Sequence, residues 1–302
     1  MTLKFVVALA LLSGLASQQG TVFRATGRVV FVPVSVKSGN RPVAGLTAAD
    51  FALSDAGVEQ RVTDVAFEEV PIDVTLFVDN STSTFASHEQ FNRDIRAIAA
   101  LLRPVDRVRV VAFGLDVRVV MDWTVPGKRI DVPTIALGRL SSVYDGLYLS
   151  MLHSPPPGRR HLIVAMTDGD DYGSVIRSQS VEDLAGRTEG VLHLLLVTAR
   201  PSSGSRTAAP GVAGTSPDPD GPLRLRQAAE RSGGVAHSLV YSINVAELFK
   251  RAFDDFRSSY ILSYTPTGVS ARGWHPVNVE VKRPGRLAVR HRQGYFEGSE
   301  FK

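Results

Sequence analysis

The chain has 302 residues, 44% hydrophobic and 21% charged, with a formal net charge of +4 and no cysteine. Without cysteine there are no disulfides, no thiolate metal site and no lipid anchor on a thiol. The cations are dispersed or paired (Arg159 and Arg160, Lys282 and Arg283) with little aromatic interleaving, so a mildly basic solvated surface is expected and no nucleic-acid partner.

In chain order, Lys4, the apolar stretch Phe5 to Leu12 and the small residues Gly14 and Ala16 predict a secretory signal peptide over residues 1–17. It is too short to span a bilayer comfortably, and no later stretch is long and apolar enough, so no stable membrane span is expected once the signal is removed. An exported chain, periplasmic or extracellular, is the expectation.

Residues 18–70 read as a β-rich flank. Val30, Val32, Val34 and Val36 alternate with other residues at period two, as a half-buried strand does. Pro33, which has no N–H to donate, predicts an edge position for that strand. "LTAADFAL" predicts a brief helical turn capped by Thr47, and "VEQRVTDVAFEEV" one extended segment.

From residue 71 to 257 strands alternate with helices. "IDVTLFVD" is a buried strand, and "SHEQFNRDIRAIAALLR" an amphipathic helix with Phe91, Ile95, Ile98 and Leu102 on one stripe, capped by Ser87 with Gln90 reciprocating. "RVRVVAFG" and "VRVVMDWT" predict an antiparallel hairpin turning at 114–116. "SSVYDGLYLSMLH" and "VEDLAGRTE" read as helices, "RHLIVAMTDG" and "VLHLLLVTA" as buried strands. Residues 200–222 hold little that packs and predict a disordered loop. A glycine-ended helix, the strand "VAHSLV" and a helix opened by Asn244 and Glu247 follow. The alternation predicts an α/β fold with a doubly wound, mostly parallel sheet. Residues 258–302 return to alternating strands, and the two flanks, each short of a core, are expected to pair into one small β domain.

Two carboxylates, Asp79 and Asp168, follow buried strands, where α/β sheets bind ligands. Ser81 and Ser83 alternate after Asp79, and Ser141 and Ser142 open a helix. These are all hard oxygen donors, suited to Mg2+, Mn2+ or Ca2+. None of the seven histidines has metal-ligand spacing, and His193, within an apolar strand, reads as a satisfied structural residue. Asp145 reads as a helix-dipole partner or acceptor, Asp170 and Asp171 as rim charges.

The spacing Asp79-x-Ser81-x-Ser83 after a hydrophobic strand, a hydroxyl residue opening a later helix, and "TDG" after another strand resemble the metal-ion-dependent adhesion site of von Willebrand factor type A domains. The segments "VAGLTAADFALSDAGVEQRV" and "VNVEVKRPGRLAVRHRQGYF" resemble the ends of exported bacterial members known mostly from acidobacteria. The resemblance implies Asp79, Ser81 and Ser83 in the first metal loop, Ser141 in the second and Asp168 in the third, Mg2+ foremost among the cations, and a protein partner offering an acidic residue. It departs at the second loop, where the family has Thr and this chain offers Ser141 or Ser142. The competing reading is an Mg-dependent phosphatase of haloacid-dehalogenase type, which needs a second Asp two residues after the first. That position is Ser81, and the expectation is a binding module and not an enzyme.

Overall fold

A computed structural model describes residues 29–67, 70–79, 88–114, 116–126, 141–197, 218–239 and 245–298. In chain order its elements are β1 (Val30–Ser38), β2 (Arg41–Pro42), a 3-10 turn (Ala48–Asp50), β3 (Phe51–Asp55), β4 (Val58–Gln60), β5 (Asp64–Phe67), β6 (Ile72–Asp79), α1 (His88–Ala99), β7 (Arg107–Phe113), β8 (Val117–Thr124), α2 (Val143–Met151), β9 (Arg160–Thr167), α3 (Ser178–Ala185), β10 (Val191–Val197), α4 (Gly221–Ser232), β11 (Ala236–Leu239), α5 (Val245–Arg257), β12 (Ser259–Tyr264), β13 (Gly273–Val281), β14 (Ala288–His291) and β15 (Gly294–Glu297). The signal segment and the caps Ser87 and Asn244 lie outside the described residues.

The α/β part is built on a sheet of order β11-β10-β9-β6-β7-β8. Its β6/β7, β6/β9, β9/β10 and β10/β11 pairs are parallel, and β8 closes one edge antiparallel to β7. The other two sheets are antiparallel throughout, so parallel pairing is confined to the α/β part.

Strand β6 shows why its sequence is so apolar, because it is covered on both faces. Ile72, Val74, Leu76 and Val78 pack with Ile95 and Ile98 of α1 and with Leu248, Phe249, Phe253 and Phe256 of α5. Phe77 on the opposite face packs with Val143 and Leu147 of α2, Val181 and Leu184 of α3 and Leu225 of α4. Each fully buried Leu or Phe contributes roughly 1.5–3 kcal/mol. Helix α4 starts at Gly221, inside the stretch read as a loop, and ends at Gly233, whose φ of 90° suits a residue without Cβ.

Contact between α2 and β6 is close enough to require glycine. A Cβ on Gly146 would lie 2.3 Å from the Phe77 ring, and Phe77 stacks on Phe113 with centroids 4.2 Å apart. Gly146→Ala is therefore expected to destabilise the chain by about 1–3 kcal/mol, overpacking outweighing alanine's helix propensity. A urea titration giving unchanged or raised stability would contradict this packing.

The two flanks share both antiparallel sheets. The first has order β14-β1-β12-β5 with β2 beside β1, and the second β15-β13-β3-β4. Val32, Val34 and Val36 are fully buried against Leu53, Tyr260, Leu262, Tyr264 and Val279. Two expectations need correction. Pro33 is not on an edge strand, since β1 runs between β12 and β14. It is tolerated because the β14 ladder starts only at Val34, and Pro33 meets that side through its carbonyl, which accepts from Arg292 N–H at 3.3 Å. Residues 58–67 are not one strand: β4 and β5 belong to different sheets, and Thr63 makes the crossing by donating N–H and Oγ1 to Ser263 O (2.8 and 2.9 Å).

Asp255 of α5 ties the flanks to the α/β part. It accepts from Ser35 Oγ at 3.2 Å, pairs with Lys37 Nζ at 2.5 Å and also binds Arg290. Burial alone would raise its carboxyl, yet Arg290 and Lys37 prevail and hold it below the usual range.

Candidate metal centre

Strand order reverses about β6: the chain goes outward to β7 on one side and later returns to β9 on the other, which opens a crevice at the carboxyl ends of these strands. Asp79 is the last residue of β6 and is 0% exposed. A carboxyl group so placed needs partners. Ser141 Oγ donates to its Oδ1 at 3.3 Å, and Thr167 Oγ1 to its Oδ2 at 3.1 Å. Three separate chain segments thus meet at one side chain.

Ser141 is positioned through its backbone. Its carbonyl accepts from Tyr172 N–H and Gly173 N–H (3.0 and 3.1 Å), while Ser142 N–H donates to Gly114 O at 3.0 Å, at the end of β7. Of the two serines, Ser141 is the one whose hydroxyl touches Asp79, and Ser142 Oγ instead lies where a Cβ on Gly173 would approach to 2.7 Å. Asp168 follows Thr167 directly, is half-buried, and accepts from Asp170 N–H at 3.1 Å. Ser81 and Ser83 lie outside the described residues.

The third loop is pinned to α2 by two further carboxyl groups. Asp171 is not a rim charge: it is buried and accepts from Tyr144 N–H (3.0 Å), Ser174 N–H (3.0 Å), Ser174 Oγ (2.6 Å) and Gly173 N–H (3.3 Å). Asp145 accepts from Val175 and Ile176 N–H at 3.1 and 2.8 Å. Among the described residues Tyr144 OH is buried without a hydrogen-bond partner, and a Cβ on Gly221 would lie 2.0 Å from it. Burial first, then Asp171, Asp218 and Asp170, push its ionisation far above the ordinary range, so it stays a neutral donor.

Thr167 is not among the sequence-predicted site residues, and Asp171 enters there only as a rim charge. Thr167 had a signal, being a polar end to a buried strand immediately before "DG"; Asp171 had only a local one, in Gly173 and Ser174 two and three residues on, while its fourth donor, Tyr144 N–H, comes from α2.

The described donors at Asp79 are all oxygens and fit a hard divalent cation in kind. Among the described residues no three His, Cys, Asp or Glu side chains are grouped so as to hold an ion. A centre here would therefore draw on hydroxyls as well as on its two carboxyl groups.

Solved structures similar in fold include von Willebrand factor type A domains. The ArnB paralog VWA2 from Sulfolobus acidocaldarius shares 12% identity over 88% of this chain and 76% of its own, with a TM-score of 0.46. The von Willebrand factor type A structure from Catenulispora acidiphila shares 12% over 88% and 73%, with a TM-score of 0.45. An aerotolerance-related membrane protein from Bacteroides fragilis shares 16% over 61% and 98%, with a TM-score of 0.42. No family model and no curated protein matches the chain. None of these likenesses transfers a residue role.

Proposed function

We infer that the chain is an exported, non-enzymatic binding module of the von Willebrand factor type A kind, with a doubly wound central sheet, that recognises an acidic side chain of a protein partner through a divalent cation. The observation that carries this reading is the meeting of Asp79, Ser141 and Thr167 at the carboxyl end of the central strand, with Asp168 next in line. Asp79, Ser81, Ser83, Ser141 and Asp168 would hold the ion, Mg2+ foremost, with Mn2+ or Ca2+ as alternatives. A cation held by few charged ligands supplies an open coordination position for an incoming carboxylate.

Export rests on residues 1–17 alone. Among the described residues no helix is long and apolar enough to cross a membrane. The phosphatase reading finds no support, because Ser81 stands where its general acid is required.

The test is calorimetric titration of Mg2+ and Mn2+ into the unaltered chain and into Asp79→Ala and Asp79→Asn. Ion binding is expected in the first and lost in both variants. Asp79 is fully buried, so the alanine variant also orphans two hydroxyls and is expected to lose about 1–3 kcal/mol of stability. The asparagine variant keeps an acceptor and is expected to lose less. Unchanged ion affinity in both would reduce Asp79 to a local hydrogen-bond acceptor and end the metal reading.

A further inference from the structure

Helix α2 is capped from outside its own chain segment. Ser142 is its N-cap residue and makes no side-chain cap hydrogen bond, although the first N–H groups of a helix need an acceptor. The third loop supplies it. Tyr144 N–H donates to Asp171 Oδ2 at 3.0 Å and Asp145 N–H to Ser174 Oγ at 3.1 Å, while Ser174 Oγ donates in turn to Asp171 Oδ2 at 2.6 Å. Asp171 thereby places a carboxylate at the positive end of the helix. The helix reciprocates through Asp145, whose carboxylate accepts from Val175 and Ile176 N–H.

This junction lies directly behind two of the residues assigned to the cation. Ser141 immediately precedes the N-cap; its carbonyl takes Tyr172 and Gly173 N–H, and its hydroxyl donates to Asp79 Oδ1. Asp168 stands three residues before Asp171 on the loop that does the capping. Six hydrogen bonds join residues 141–145 to residues 171–176, and none of them uses the side chain of Asp79, Ser141 or Asp168. The junction therefore sets the spacing of Ser141 and Asp168 without drawing on either side chain.

We propose that Ser174 and Asp171 are positioning residues for the cation: by capping α2 from the third loop they fix the separation of the Ser141 and Asp168 oxygens, and with it a preference for Mg2+ over Ca2+. This rests on the metal reading above. Mg2+ demands near-octahedral oxygens at about 2.0–2.1 Å, whereas Ca2+ accepts roughly 6–8 oxygens at about 2.3–2.6 Å in flexible arrangements. A loosened spacing penalises the smaller ion first. A role in stability alone would change the affinity for both ions equally or for neither.

Ser174→Ala tests this at constant charge, since it removes the shared hydroxyl and touches no assigned ligand. Mg2+ and, separately, Ca2+ are titrated calorimetrically into the full chain and its variants at a temperature where each is folded. Ser174→Ala is expected to bind Mg2+ about tenfold more weakly with unchanged stoichiometry, the scale on which groups that orient ligands act. Its Ca2+ affinity is expected to fall by less than about threefold, because that ion tolerates displaced ligands. Ser174→Thr keeps the hydroxyl and is expected to hold Mg2+ affinity within about twofold of the unaltered chain. Asp79→Asn, by contrast, loses the ion altogether. Unchanged Mg2+ affinity in Ser174→Ala, an equal fall for both ions, or no recovery in Ser174→Thr overturns the proposal and leaves the metal reading standing. No ion uptake by the unaltered chain ends both.

Discussion

Replacing Asp55 with alanine is expected to lower stability by on the order of 3–5 kcal/mol, a large share of what a domain usually has. Asp55 is fully buried at the end of β3, from the N-terminal flank, and all its side-chain partners come from the C-terminal flank. Tyr264 OH of β12 and Tyr295 OH of β15 donate to its Oδ2 at 2.8 and 2.7 Å, and His275 Nδ1 of β13 lies 2.9 Å from its Oδ1. Burial, followed by the hydrogen bond to Asp55, raises the ionisation of both tyrosines, so they remain donors throughout the ordinary pH range. Alanine would leave three buried polar groups without their acceptor, each at a cost of about 1–3 kcal/mol, and a cavity besides. Asp55→Asn keeps one acceptor oxygen and is expected to lose less. Chemical denaturation of both variants measures the difference, and a loss below about 1 kcal/mol for alanine would show that water enters freely and that the flanks are not joined by this network.

How much of this was legible depends on the range of the interactions. Period-two and helical patterns are local, so Val30 to Val36, the Phe249, Phe253 and Phe256 face of α5, and the buried strand ending at Asp79 could all be read before the fold was known. Pro33 misled because the cost of its missing N–H depends on how far a neighbouring strand extends, and β14 stops just short of it. The division of residues 58–67 between two sheets hinges on Ser263, two hundred residues away, which no local pattern encodes. At the candidate centre, Asp79, Ser141 and Asp168 stood out because each polar residue followed or opened an apolar element. Asp55 did not, since its side-chain partners come from the distant C-terminal flank, nor did Asp171, whose local donors Gly173 and Ser174 do not reveal the Tyr144 N–H that ties its loop to α2. His193 read as a satisfied core residue, but among the described residues both its ring nitrogens are buried without a hydrogen-bond partner, and its proximity to Asp255 (4.0 Å) arises only when α5 packs on β10.

That unsatisfied imidazole leads to the other large effect: stability is expected to fall steadily as pH drops from 6.5 towards about 4, before most carboxylates titrate. Burial is the main reason that His193 and His161 are each depressed from 6.5 to about 3, with Arg290 adding to it for His193 and His153 and Arg109 for His161. Asp255, His237 and Lys37 also face His193, and of these only Asp255 opposes the shift. Both histidines are neutral when folded and take up a proton near 6.5 when unfolded, so the unfolded state binds more protons throughout that window. Folding therefore weakens as pH falls below 6.5, by about 1.4 kcal/mol per pH unit for each histidine, until the folded state itself protonates near 3. His153 and His237, also lowered mainly by burial, act in the same direction. Asp255 and Asp73 are depressed carboxyl groups whose contribution is present above 3.8 and lost only below it, so they do not blur the window. Denaturation series between about pH 7.5 and 4.5 measure the slope, and His193→Leu is expected to remove one histidine's share of it, because leucine fills much of the site and cannot be protonated. A flat profile across the window, or an unaltered slope in His193→Leu, would mean that the ring reaches solvent or a hydrogen-bond partner in solution and is not the isolated buried base its surroundings describe.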